Sequence, residues 1–113
     1  MSRSQQKKGR VGELELCRVL QEYGFPVKVG DPMCFGSQPD LTGLKLIHVE
    51  CKRTEAFRLY NALQQATNDS ERFCDGLPTV FYRSNRKPWV VVMRLQDWVD
   101  LYKRGIENEK ENC

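Results

Sequence analysis

The chain has 113 residues, 40% hydrophobic and 29% charged, with a formal net charge of +3 from 18 basic and 15 acidic side chains. That length fits a single domain around one modest core, and the longest strongly apolar run, WVVVM, is too short to span a bilayer. Five cysteines at widely spaced positions and one histidine support neither a disulfide framework nor a zinc site, so the cysteines read as reduced thiols.

The opening, MSRSQQKKGR, lacks the apolar stretch of a secretory signal, which points to a cytoplasmic protein. Its Arg3, Lys7, Lys8 and Arg10 form either a phosphate-contacting arm or a solvated start to the first helix. From about Lys8 to Tyr23 the pattern is helical: Leu16, Val19, Leu20 and Tyr23 recur at helical spacing and Gly24 ends the run. At about 100° per residue, Glu13 falls on the side of Leu16, Cys17 and Leu20, while Glu15 and Glu22 point toward water. An acid on that stripe either borders it and pairs with a nearby arginine or serves a site.

FPVKV reads as a short strand and GDPMCFGSQ as a loop leading into Asp40. After a turn at LTGL, KLIHVECK alternates. Ile47, Val49 and Cys51 share a core face, and Leu46, His48, Glu50 and Lys52 share the other, which is expected to line a cleft. EAFRLYNALQQATNDSERF looks helical, with Leu59, Ala62, Leu63 and Ala66 on its apolar side, before a break at CDGLP. TVFYR and WVVVM, separated by the basic SNRKP, suggest an antiparallel hairpin. RLQDWVDLYKRG should be a last helix packing Leu95, Trp98, Val99 and Tyr102, with Gly105 as its stop. The expected architecture is α/β, a mixed central sheet flanked by helices in the order α-β-β-β-α-β-β-α, with residues 1–105 as the domain and 106–113 as a polar tail.

Asp40, Glu50 and Lys52 then form a constellation. Mg²⁺ or Mn²⁺ takes oxygen ligands from one or two carboxylates, and such an ion activates water and stabilises charge on phosphoryl oxygens. An ammonium beside it suits orienting water or balancing phosphate charge. Either half alone has an ordinary explanation: Asp after Pro is common in turns, and Glu-x-Lys is a common solvated pair. His48 shares the face, but a lone histidine is more often a packing or hydrogen-bonding residue.

On these residues the chain resembles the PD-(D/E)xK nuclease superfamily: Pro39-Asp40 is the PD, Glu50-Cys51-Lys52 the ExK, and Glu13 the helical acid before them. KGRVGELELCRVLQEYGF, GSQPD and HVECKR are similar to Holliday junction resolvases, and LYNALQQA, PTVFYRSNRKPWVVVM and LQDWVDLYK to small phage and prophage nucleases of that group. The resemblance covers about residues 7–104. It implies a restriction-endonuclease-like core, Asp40, Glu50 and the Cys51 carbonyl as metal ligands, Lys52 as the catalytic lysine and Glu13 as a further acid. It also implies a glutamine from the following helix, Gln65 or its neighbour Gln64, and a loop serine at Ser37. Bacterial or phage origin, a homodimer and branched DNA as substrate follow from the same resemblance.

The leading expectation is thus a Mg²⁺- or Mn²⁺-dependent DNA endonuclease. Its phosphate contacts would come from Lys7, Lys8, Arg10, Arg53, Arg58, Arg83, Arg86 and Lys87. The alternative from another class is a non-catalytic nucleic-acid-binding or assembly module that keeps the fold without the reaction. The basic hairpin tip from Arg83 to Lys87 is also a candidate contact for a protein partner.

Overall fold

The structure is a computed structural model that describes residues 3–31 and 37–112; the side chains of 3–8 and 110–112 lie outside the described set. Its elements run α1 (Arg3–Glu22), β1 (Lys28–Val29), β2 (Leu41–Thr42), β3 (Ile47–Arg53), α2 (Leu59–Phe73), β4 (Leu77–Arg83), β5 (Val90–Met93) and α3 (Leu95–Asn112). The strands form one five-stranded mixed sheet in the order β1-β2-β3-β4-β5. Only β3 and β4 are parallel, and α2 is the crossover that a parallel pair requires. The α/β class, the element order and the β4-β5 hairpin agree with the sequence reading.

β3 and β4 are central and buried on both faces. On one face α1 brings Leu16 and Cys17 onto Val49, Phe81, Leu41 and Val27. On the other, α2 sets Ala62 and Ala66 against Val80, flanked by Phe57 and Tyr82, whose rings stack at 3.8 Å. Small residues on α2 let it lie close to the sheet, and each fully buried valine contributes about 1.5–3 kcal/mol. The helix α1 needs the same closeness. A Cβ on Gly12 would stand 2.6 Å from the Arg53 Cβ, so glycine there lets α1 settle on the end of β3.

Several local expectations change. The second face of β3 is covered by α2 rather than open, so His48 and Glu50 are buried as deeply as Val49. Leu46 does not join that face: its φ of 74° puts it in a turn before the strand. That turn meets Gly76, whose φ is 133° and where an added Cβ would stand 2.5 Å from the Leu46 carbonyl, leaving no room for a side chain. Glu15 does not point to water but pairs with Arg53 and Arg83. Tyr23 is 76% exposed because α1 ends one residue earlier, at Glu22, and the chain turns back there. The second helix begins only at Leu59, because Thr54 Oγ1 accepts the Ala56 N–H and holds a turn ahead of it.

The last helix differs most. It continues through Gly105 to Asn112, since an interior glycine costs only about 1 kcal/mol and polar helix formers follow it. Its Leu95, Trp98 and Tyr102 are exposed, and the buried residue is Asp97, held by Arg94. Periodicity identifies an apolar stripe but not whether this chain supplies the surface to cover it. No helix among the described residues is long and apolar enough to cross a membrane.

Candidate active site

β3 projects His48, Glu50 and Lys52 toward α2, and Cys51 toward α1, as strand alternation requires. Because β2 is only two residues long and pairs with β3 at Leu41 and Val49, the edge of β3 beyond that point is open. Asp40, just before β2, fills the gap: its Oδ2 accepts the Cys51 N–H at 2.8 Å. The N–H and C=O of a strand residue face the same edge, so the Cys51 carbonyl points toward Asp40 as well.

Glu13 enters from α1, one residue past the glycine that lets the helix approach, and its carboxyl interacts with that of Asp40. Glu50 also interacts with Asp40. Asp40 thus interacts with Glu13 on one side and Glu50 on the other, and burial costs the charged forms of all three solvation. Burial, reinforced by Asp40 and opposed by Arg10, pushes Glu13 up to about 7. Burial, offset by the neighbouring His48 ring and reinforced by Asp40, pushes Glu50 up to about 7. Burial also raises Asp40, against the pull of the Cys51 N–H and Lys52. The Cys51 thiol, buried beside these acids, is raised far above its ordinary range and is no nucleophile.

Lys52 stands beside this corner, with its Nζ 4.0 Å from Glu50 and donating to Gln65 Oε1 at 2.8 Å. Gln64 faces elsewhere and donates to Asn68 at 2.9 Å, so the structure distinguishes the two glutamines. Gln65 and Asp69 are four apart on α2, hence on one stripe of the helix facing β3.

The donors gathered here are carboxylate and carbonyl oxygens, the chemistry of a hard divalent cation. Crowded acids with affinities raised to about 7 hold protons that such a cation would displace. The chemistry of Asp40, Glu50, the Cys51 carbonyl and Glu13 therefore fits the Mg²⁺ or Mn²⁺ that the resemblance implies.

No protein-family model matches the chain, and no curated protein matches it.

The basic residues divide into two groups. Arg53 and Arg83 converge on Glu15, and Arg53 also reaches Asn85 at 2.8 Å and Glu55 at 3.8 Å. Arg10 donates to the Gly30 carbonyl at 2.6 Å. These three brace the fold. Arg58, Arg86 and Lys87 are exposed, as is Ser37. The side chains of Lys7 and Lys8 lie outside the described residues. Cys17, Cys51 and Cys74 are free thiols, while Cys34 and the side chain of Cys113 fall outside the described set.

Two acids were not singled out from the sequence. Asp69 offers a carboxylate oxygen that lies, with one atom each of His48 and Glu50, within 4.8 Å of the others. Asp75 accepts from His48 Nδ1 at 2.8 Å. The spacing of Asp69 from Gln65 was a usable signal for the first; Asp75 sits in a loop, where spacing carries no facing information.

Proposed function

We propose that the chain is a metal-dependent DNA endonuclease of the PD-(D/E)xK type, cutting phosphodiester bonds with structure-selective, resolvase-like specificity. One observation carries the reading: half-buried Asp40 interacts with both half-buried Glu13 and buried Glu50 beside Lys52, whose ammonium is held by Gln65. Surface ion pairs need no such convergence from α1, the β2 end, β3 and α2.

When bound, Mg²⁺ or Mn²⁺ would supply an activated water and stabilise charge on the phosphate. The chain's own residues supply the rest. Asp40 is fixed by the Cys51 N–H, so its second oxygen keeps a set direction. Glu50 faces the same corner from the rigid centre of the sheet. Gln65 restrains the Lys52 ammonium, which saves the ordering cost of a long side chain at the moment it meets water or phosphate. Glu13, with a proton affinity near neutrality, accepts a proton or a ligand role at working pH.

Exposed Arg58, Arg86 and Lys87 suit sequence-independent contact with phosphates. The exposed Leu95, Trp98 and Tyr102 of α3, with the two rings stacked at 5.0 Å, support a homodimer.

The test is a panel of four-way, flap, nicked, double-stranded and single-stranded DNAs with Mg²⁺ or Mn²⁺, comparing wild type with Lys52→Ala. Paired symmetric nicks near a junction, lost with chelator and in the variant while DNA binding persists, support the proposal. Binding without cutting, and no metal uptake, supports instead a non-catalytic binding module on the same fold.

A further inference from the structure

Next to the proposed catalytic corner, on the α2 face of β3, His48 is 1% exposed. Its Nδ1 bonds the Asp75 carboxylate at 2.8 Å. That contact places a proton on Nδ1, so that in the neutral ring Nε2 carries the lone pair. Nε2 has no hydrogen-bond partner, and it lies 3.5 Å from Glu50 Oε1. A buried imidazole nitrogen without a donor costs the fold its solvation energy, which calls for a compensating ligand.

The missing ligand is specified by what surrounds the nitrogen. Across from Nε2 stand two carboxylates, Glu50 from β3 and Asp69 from α2, and one donor atom from each of the three residues falls within 4.8 Å of the others. Ligand atoms about 2.0–2.2 Å from a tetrahedral ion are themselves about 3.3–3.5 Å apart. The His48 to Glu50 spacing of 3.5 Å already meets that value. Asp69, half-exposed on α2, closes the remainder by turning its side chain. On its outer side Asp69 also lines an open pocket of about 430 Å³ with Gln65 and Asn68.

We propose that His48, Glu50 and Asp69 form a second divalent-cation site that prefers Mn²⁺, Co²⁺ or Zn²⁺ to Mg²⁺, with Asp75 orienting the histidine. One imidazole and two carboxylates are the ligands of a borderline transition ion, whereas the oxygen-only corner around Asp40 suits a hard one. The carboxylate-histidine arrangement of Asp75 and His48 is the usual means of fixing a metal-binding imidazole. Glu50 belongs to both groups, which makes the two neighbours on one face of β3. An ion here would tie α2 to β3, beside the residue that restrains Lys52. The inference needs only this geometry and not the nuclease reading.

The chain has a single histidine, which makes the test unambiguous. Untagged protein at pH 7.5 is given one equivalent of Mn²⁺ and examined by electron spin-echo envelope modulation for an imidazole ¹⁴N coupling. The expected result is a ¹⁴N signal that survives a hundredfold excess of Mg²⁺, persists in Asp40→Asn, and falls at least tenfold in Asp69→Asn with the circular dichroism unchanged. Absence of imidazole coupling in the wild type overturns the proposal. So does loss of the signal to Mg²⁺ or in Asp40→Asn, which would place His48 beside the other ion. Should Asp69→Asn not fold, the wild-type and Asp40→Asn spectra decide alone. The readout is metal binding, so failure here is separable from failure to cut DNA.

Discussion

Lys52 Nζ donates to Gln65 Oε1 at 2.8 Å, joining the end of β3 to the middle of α2. The contact holds a cation beside buried carboxylates instead of letting it swing into water. If the ammonium acts on the phosphate or the attacking water, Lys52→Ala should lower cleavage by about 10²–10³-fold. Gln65→Ala, which removes only the restraint, should lower it by about 10- to 100-fold. Gln64→Ala should change it little, because that side chain bonds Asn68. Equal losses for the two glutamines in single-turnover cleavage would refute the assignment.

The acidic corner sets the sign of the pH dependence. Glu13 and Glu50 are both raised to about 7, and Asp40 and His48 are raised as well. Folded protein therefore binds more protons than unfolded protein, and stability must fall as pH rises from about 4.5 through 7. Metal-free protein should melt at a lower temperature at pH 8 than at pH 5. A divalent cation binding at pH 8 should recover the loss. At a hundredfold excess over Kd it adds about 2.7 kcal/mol, on the order of 10 °C for a domain this size. Scanning calorimetry with and without Mn²⁺ reads both; a melting temperature that rises with pH in chelator contradicts the geometry.

Gly12 and Gly9 test the approach of α1 with an internal control. In a helix interior alanine is favoured over glycine by about 0.5–1 kcal/mol. At Gly9, where a Cβ meets nothing within 4 Å, that gain should appear. At Gly12 the Cβ would stand 2.6 Å from the Arg53 Cβ. Overpacking of about 1–3 kcal/mol should outweigh the helix gain and lift Glu13 away from Asp40. Urea unfolding midpoints should thus move in opposite directions for Gly9→Ala and Gly12→Ala, with cleavage falling only in the second.

Much of this was legible in the sequence because it rests on periodicity. Alternation through IHVECK assigned Glu50 and Lys52 to one face and Cys51 to the other, and helical spacing put Glu13 on the stripe of Leu16 and Cys17. Less legible was everything that depends on which element covers a face. The His48 side of β3 looked like a cleft wall until α2 was seen to lie over it. Glu15 looked solvated, yet its partners are Arg53 and Arg83, 38 and 68 residues away. Asp75 lies in a loop, and α3 presents a stripe that this chain leaves exposed. Pairings across such separations have no local signature.

On the basic surface the structure separates cations of similar appearance in sequence. Arg83 is committed to Glu15 and to the Lys87 carbonyl at 2.7 Å, whereas Arg58, Arg86 and Lys87 present exposed side chains. Each phosphate contact contributes about 0.9 to the slope of log binding constant against log salt. Replacing Arg58, Arg86 and Lys87 together by alanine should flatten that slope by up to about 2.7 for duplex DNA. Arg83→Ala should leave the slope within about 1 of wild type and instead lower unfolding free energy by about 1–2 kcal/mol. Fluorescence anisotropy across a salt series, paired with urea unfolding, distinguishes the two roles. An unchanged slope in the triple variant would move the DNA path away from the hairpin tip and the start of α2.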